Sequence, residues 1–69
     1  MKSVLENFST ALNDLNKAIE LKPDEASYYK LRANVKYQLE DDEGACQDWN
    51  KAKSMGDKSV DYYIKQYCK

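Results

Sequence analysis

The chain has two cysteines, Cys46 and Cys68, and they are its first candidates for chemistry. Both lie in helical patterns that meet near Asp57, and they stand at equal distances along the chain from that turn. Neighbouring antiparallel helices lie about 8 to 10 Å apart, which brings facing cysteines within reach of a disulfide. We therefore predict that the two thiols are close together. Two outcomes stay open: a disulfide in an oxidising compartment, or a small buried Cys46 with Cys68 as a free terminal thiol.

Other metal-binding or nucleophilic groups are scarce in this sequence. The chain has no histidine, and two isolated cysteines do not supply the four ligands of a structural zinc site. No imidazole is available to activate Cys46 or a serine as a nucleophile. The acidic run Asp41, Asp42 and Glu43 lacks the alternating oxygen ligands of a calcium loop, and helix capping explains it more simply. We expect no catalytic residue, no metal and no cofactor, and we expect that the protein is not an enzyme.

A polar stripe in the second predicted helix is the candidate for binding chemistry. It consists of Lys30, Asn34, Tyr37 and Gln38, which share one helical face. The alternative is a solvated helix face with no ligand, which is the usual role of such residues.

The elements that position these residues are predicted to be helices. Phe8, Leu12, Leu15 and Ile19 recur at the spacing of one helical face, so residues 4–21 are predicted to form an amphipathic helix. Pro23 ends it, because the residue before a proline is steered away from the helical region.

Helix-capping residues mark the boundaries of the three helices that follow. Asp24 is predicted to cap the second helix, and Asp41 or Asp42 the third. Gly56 suits a left-handed C-terminal cap of that third helix. Asp57 then caps a fourth helix that runs from about residue 58 to residue 68. We therefore predict an all-α chain of four helices, in which short connections make neighbours antiparallel.

Part of the third predicted helix repeats the amino-acid sequence of the first, 34 residues further along the chain. Residues 11–18 align with residues 45–52, with five of eight positions identical and Leu15 replaced by Trp49. A period of this length in a helical pattern is typical of solenoids of paired helices. An unrelated four-helix bundle is the alternative, but it would not require the period.

These residues make the chain similar to the tetratricopeptide repeat family. Ala45, Trp49 and Ala52 resemble the second helix of such a repeat, and Pro23 resembles the end of the repeat before it. At three positions the chain departs from the pattern: Arg32 replaces a usual Leu, Lys36 replaces a usual Tyr, and Asp57 replaces the closing Pro. Residues that resemble the family's helix-crossing core are Ala11, Leu15, Ala18, Tyr29, Ala33, Ala45, Trp49 and Ala52.

The resemblance implies a domain organisation and a function. It makes residues 1–69 a single domain: residues 3–22 are the second helix of a partial repeat, 26–57 a full repeat and 58–68 a capping helix. First helices of this family line a peptide-binding groove, which implies that Lys30, Asn34, Tyr37 and Gln38 face a peptide or partner protein. The alternative is a structural end cap or self-association module without a groove ligand.

The first helix lacks the partner helix that the resemblance implies. Repeat units need a polar cap or a neighbour, because an exposed apolar end is not stable. Two explanations stay open: the chain is a piece of a longer repeat array, or it forms a homodimer. The homodimer would bury the face that carries Phe8, Leu12, Leu15 and Ile19.

Composition excludes several classes of partner. The chain has 11 basic and 12 acidic residues, so it has no basic surface for nucleic acid. No uncharged run is long enough to cross a bilayer, and we expect no membrane insertion. The residues Met1–Glu6 lack an apolar signal segment, which favours a cytoplasmic location. Export stays open for a piece of a longer protein.

Overall fold

The computed structural model describes residues 4–68, with side chains from Asn7 onward. In this range it contains four α-helices and no strand: α1 (Val4–Leu21), α2 (Ala26–Gln38), α3 (Asp42–Ser54) and α4 (Asp61–Tyr67). The prediction of an all-α chain with four helices is confirmed. Ser3, the first residue of the predicted partial repeat 3–22, lies outside the described residues, as do Met1, Lys2 and Lys69 of the predicted domain.

Side-chain caps and one glycine define most of the helix boundaries. Asp41 caps α3 by accepting a hydrogen bond from the Gly44 backbone N–H at 3.0 Å. Gly56 ends the turn after α3 with a φ of 106°, a left-handed conformation that favours glycine. Asp57 accepts a hydrogen bond from the Ser59 backbone N–H at 3.0 Å. This cap opens a 3-10 turn, Lys58–Val60, so the predicted fourth helix becomes α-helical only at Asp61.

The predicted cap of α2 is wrong. The N-cap residue is Glu25, and its side chain makes no capping hydrogen bond. Pro23 and Asp24 instead form the middle of a turn in which the Glu25 backbone N–H donates to the Lys22 carbonyl at 3.4 Å. Because Asp24 is part of this turn, it is not the N-cap, and α2 begins one residue later than a cap at Asp24 would predict.

The core lies between α2, α3 and the C-terminal segment. Five of the residues that the structure describes have no exposed surface: Ala33, Ala45, Trp49, Ala52 and Val60. The alanines on α2 and α3 allow these two helices to approach closely, and the Trp49 ring fills the space between α3 and α4. The remaining predicted core residues, Ala11, Leu15, Ala18 and Tyr29, are only half-buried.

The helix α1 packs mainly on α2 and has no helix on its other side among the described residues. This one-sided packing explains why Ala11, Leu15 and Ala18 stay half-exposed while their counterparts in α3 are buried. Ile19 is 9% exposed and belongs to the core rather than to an open face. None of the described helices combines the length and hydropathy that a bilayer span requires.

Candidate interaction surface

The structure places the four residues of the predicted polar stripe, here called the α2 polar face, in unequal environments. Lys30 is half-buried, and its Nζ donates to Ser59 Oγ at 3.0 Å. Asn34 is half-buried, and Gln38 is exposed at the end of α2. The ammonium carries three donors and one goes to Ser59, so Lys30 can bind a further acceptor without losing that bond.

Tyr37, the fourth residue of the α2 polar face, packs in a cluster of aromatic rings. Its ring centroid lies 4.5 Å from that of Tyr67 and 6.0 Å from that of Trp49. Trp49 in turn stacks on Tyr63 at 5.2 Å with an interplanar angle of 11°. The buried indole N–H of Trp49 has no hydrogen-bond acceptor among the described residues, so ring contacts hold it in place.

Tyr67 extends the α2 polar face with aromatic surface. It is 40% exposed although it touches both Tyr37 and Trp49. Desolvation by its neighbours, followed by the nearby phenol of Tyr37, raises the pKa of Tyr67 above its usual 10.0. Lys30, Asn34, Tyr37, Gln38 and Tyr67 thus supply an ammonium, two amides and two phenols on the side where α2 meets the C-terminal segment.

The structure also brings the two cysteines together. A disulfide joins Cys46 on α3 to Cys68, the residue that ends α4, with their Cα atoms 5.6 Å apart. The disulfide fixes the end of α4 against α3, and so it holds Tyr67 against the rings of Tyr37 and Trp49.

An open groove of about 300 Å³ lies beside the disulfide, at the edge between α3 and α4. It is lined by both cysteines and by Asp42, Glu43, Asn50 and Tyr67. No residue pattern in the sequence indicates this groove, because it depends on how α4 meets the first turns of α3. Among the described residues, no cluster of histidine, cysteine, aspartate or glutamate is arranged to hold a metal ion.

A buried carboxylate between the helices was not predicted. Asp48 on α3 is 4% exposed and accepts two hydrogen bonds from Arg32 on α2, each 2.8 Å long. Lys36 adds an ion pair to the same carboxylate at 3.2 Å. Arg32 also donates to Asn16 on α1 at 2.9 Å, so one guanidinium connects three helices. The hydrogen bond to Asp48 raises the pKa of Arg32, against the opposing effect of burial.

The sequence contains a pattern from which this network could have been predicted. Arg32 and Lys36 are one turn apart on α2, at two of the positions where the chain departs from the repeat pattern. Asp48 is an acid inside the apolar stripe of Ala45, Trp49 and Ala52. Two cations and an acid on facing apolar stripes indicate a buried ion pair, because burying either kind of charge without the other would be costly.

Two exposed carboxylates near α4 have perturbed titration. The hydroxyl of Ser59, which donates to Asp57, holds the pKa of Asp57 below its usual 3.8, and the charge of Lys30 acts in the same direction. The hydrogen bond from Lys53 lowers the pKa of Asp61, which forms an ion pair with Lys53 at 2.7 Å. Both carboxylates therefore remain charged in mild acid.

Comparison of the chain with protein-family models, with curated proteins and with solved structures gave no match. The similarity to tetratricopeptide repeats therefore depends on the sequence pattern and its 34-residue period alone. Any function must be argued from the surface chemistry of this chain.

Proposed function

We propose that the protein is an interaction module related to the tetratricopeptide repeats, and that it binds a peptide or a partner protein through the α2 polar face. The 34-residue period and the all-α architecture of short connected helices support this proposal. The pattern of a partial repeat, a full repeat and a capping helix belongs to the same proposal.

The observation that carries the proposal is the position of Tyr67 beside the α2 polar face. A tyrosine that is 40% exposed stands next to Tyr37, on the side of α2 that also carries Lys30 and Asn34. Rigid aromatic surface next to hydrogen-bond donors is typical of protein-binding sites, where tyrosines are enriched. The disulfide keeps this ring in place, so little conformational entropy is lost when a ligand packs on it.

The chemistry of this face favours a ligand with a carboxylate and an apolar side chain. Lys30 and Asn34 are one helical turn apart, so the ammonium and the amide can donate to the same carboxylate. The rings of Tyr37 and Tyr67 can pack against an apolar group next to that carboxylate. An acidic residue or a free C-terminus of a peptide supplies this combination.

A peptide library with free C-termini, selected against the immobilised protein, tests the proposal. We expect selected peptides to share a carboxylate beside a large apolar residue. Their affinity, measured by calorimetry, should fall roughly tenfold or more in Asn34→Ala, which corresponds to one lost charge-assisted hydrogen bond. Lys30→Ala should have a similar effect, and circular dichroism should show unchanged helix content in both variants.

A matched control comes from α1, whose residue Lys17 is exposed and lies on a different helix from this surface. The Lys17→Ala variant removes the same charge as Lys30→Ala and should leave the affinity unchanged. If no peptide is enriched, or if Lys17→Ala and Lys30→Ala weaken binding equally, the α2 polar face is not a ligand site.

A second candidate function is self-association through α1. The observation that favours it is the incomplete cover of this helix: Phe8, Leu12 and Leu15 are half-buried, and Leu21 is 73% exposed. A second copy could bury this surface in a two-fold contact. In that case the domain would be a structural end cap or dimerisation module without a groove ligand.

A further inference from the structure

We propose that the Cys46–Cys68 disulfide is a thiol–disulfide exchange site, which dithiols with no charge besides the attacking thiolate reach through the adjacent groove, and that its reduction loosens the C-terminal end of α4. The inference is independent of any binding partner. It depends on three observations: the groove exposes both cysteines, an amide donor reaches one sulfur, and the disulfide is the covalent bond that joins the end of the short helix α4 to α3.

The groove gives an incoming thiolate access to the sulfur atoms. Cys46 and Cys68 are both half-buried rather than enclosed, and both line the open groove of about 300 Å³. Asp42 and Glu43 line the same groove, so its negative charge disfavours anionic reductants. The reagent that fits is therefore a dithiol that carries no charge besides its attacking thiolate.

The amide of Asn50 determines which sulfur leaves. Its Nδ2 lies 3.5 Å from Cys46 Sγ and donates to the Cys46 carbonyl at 2.9 Å. A donor at this position stabilises a thiolate on Cys46, which makes Cys46 the better leaving group. The attack then falls on Cys68, the sulfur at the end of α4.

The exchange proceeds in two balanced steps. A thiolate of the dithiol attacks Cys68 Sγ, a mixed disulfide forms, and the bond to Cys46 breaks to leave the Cys46 thiolate. The second thiol of the reagent loses its proton and attacks the reagent's other sulfur, the one bonded to Cys68 in the mixed disulfide. The bond to Cys68 breaks, and Cys68 leaves as a thiolate. The reagent ends as a cyclic disulfide, two electrons pass to the protein, and both cysteines end as protonated thiols.

Reduction should loosen the C-terminal end of α4, because the ring contacts of Tyr67 with Tyr37 and Trp49 must then hold it without a covalent bond. The helix has only seven residues, too few to be stable alone. Its ion pair between Lys53 and Asp61 is solvent-exposed and contributes little. Val60 is fully buried and anchors the start of the segment, so α4 should separate from the Tyr67 end first.

Reduction kinetics test the site. We compare dihydrolipoamide, which has no charge besides its attacking thiolate, with dihydrolipoate, which adds a carboxylate; both close to a five-membered cyclic disulfide. The Asp42→Asn/Glu43→Gln variant should be reduced roughly threefold faster by dihydrolipoate, with a smaller increase for dihydrolipoamide. The Asn50→Ala variant should be reduced roughly threefold more slowly by dihydrolipoamide. The control Asp14→Asn/Glu20→Gln removes two exposed charges from α1 and should change neither rate.

Loosening of the C-terminal end of α4 is measured separately, by Trp49 fluorescence and by trypsin cleavage after Lys65. Reduced protein and the Cys46→Ala/Cys68→Ala variant should both show a red-shifted emission and faster cleavage than oxidised protein, with most helix content retained. The same emission and cleavage rate in both redox states would overturn the loosening of this end. Equal effects of the groove and α1 charge variants, or no effect of Asn50→Ala, would overturn the groove as the path of attack.

Discussion

At the scale of single residues, Asp48 is the charged side chain that is buried most deeply among the described residues. Its carboxylate is buried and holds two cations from α2, while the side chains of Arg32 and Lys36 keep 19% and 21% of their exposure. Removing Arg32 alone leaves the carboxylate with one partner, whereas removing Asp48 leaves cations that water can still reach. The energetic effects of the two changes should therefore differ.

A double-mutant cycle measures this network. Arg32→Met should lower the free energy of unfolding by about 3 kcal/mol, because it removes two hydrogen bonds from a buried charge. Combining it with Asp48→Leu should return the stability to within about 1 kcal/mol of the original protein, since no buried charge then remains. Urea denaturation followed by circular dichroism gives these values. Additive losses in the double variant would contradict a buried, coupled pair.

The lowered pKa of Asp57 predicts how the stability of the folded protein changes in acid. The pKa of Asp57 is lower in the folded protein than its usual 3.8, because Ser59 donates to the charged form. The carboxylate therefore contributes stability that is present above pH 3.8 and is lost as the pH falls through the lower folded pKa. Melting temperatures measured from neutral pH to about pH 2 should fall less steeply in Asp57→Asn than in the original protein. Parallel curves would show that the cap carries no pH dependence.

Residue types predicted the centre of the core well and its edges poorly. Small residues and one large ring in a repeated pattern identified Ala33, Ala45, Trp49 and Ala52, which are all buried. Ala11 and Leu15 carry the same pattern but are half-exposed, because burial depends on neighbours that a local pattern does not count. Tyr37 belongs to the predicted polar stripe, yet its ring packs on Tyr67, a contact made only when α4 folds back.

At the scale of secondary structure, the start of α3 shows two residues that depend on each other. Asp41 accepts the Gly44 N–H, and a Cβ added to Gly44 would overlap the Asp41 carboxylate, with only 2.8 Å to its Cγ. Glycine in a helix normally costs about 0.5 to 1 kcal/mol relative to alanine. Here its lack of a side chain gives the cap its space.

The interdependence predicts non-additive effects on stability. Asp41→Ala should destabilise the protein by about 1 kcal/mol through loss of the cap. Gly44→Ala in the original chain should bring no gain, because the new methyl group displaces the capping carboxylate. In the Asp41→Ala background the same substitution should stabilise by about 0.5 to 1 kcal/mol. Thermal unfolding of the four proteins checks this, and an equal effect of Gly44→Ala in both backgrounds would contradict it.

The helices themselves were predictable, but some of their ends were not. Periodicity gave α1 from residue 4 to residue 21, and the caps of Asp41 and Asp57 followed from residue type. The connection between α2 and α3 uses Glu40 with a φ of 65°, a conformation that its residue type does not indicate. The turn bond from Glu25 to Lys22 likewise overrides the capping preference of Asp24.

At the scale of the whole molecule, α1 packs on α2 on one side only, whereas the end of α4 is joined to α3 by the disulfide. If the second candidate function holds, light scattering behind a sizing column should give twice the chain mass of 8.0 kDa at high concentration, with or without reductant. Phe8→Ser should then shift the protein towards the monomer, while Asn13→Ser, an exposed change on the same helix, should not. A monomer at every concentration would exclude this function.

The measurement that tests the central claim most directly is an amide chemical-shift titration of the oxidised protein with a library-selected peptide. Binding to the α2 polar face predicts the largest shifts at Lys30, Asn34, Tyr37 and Gln38, together with Tyr67, and small shifts along α1. The same peptide should lose these shifts in the Asn34→Ala variant. Saturable shifts confined to α1, or no saturable shift at all, would contradict the α2 polar face as the binding site.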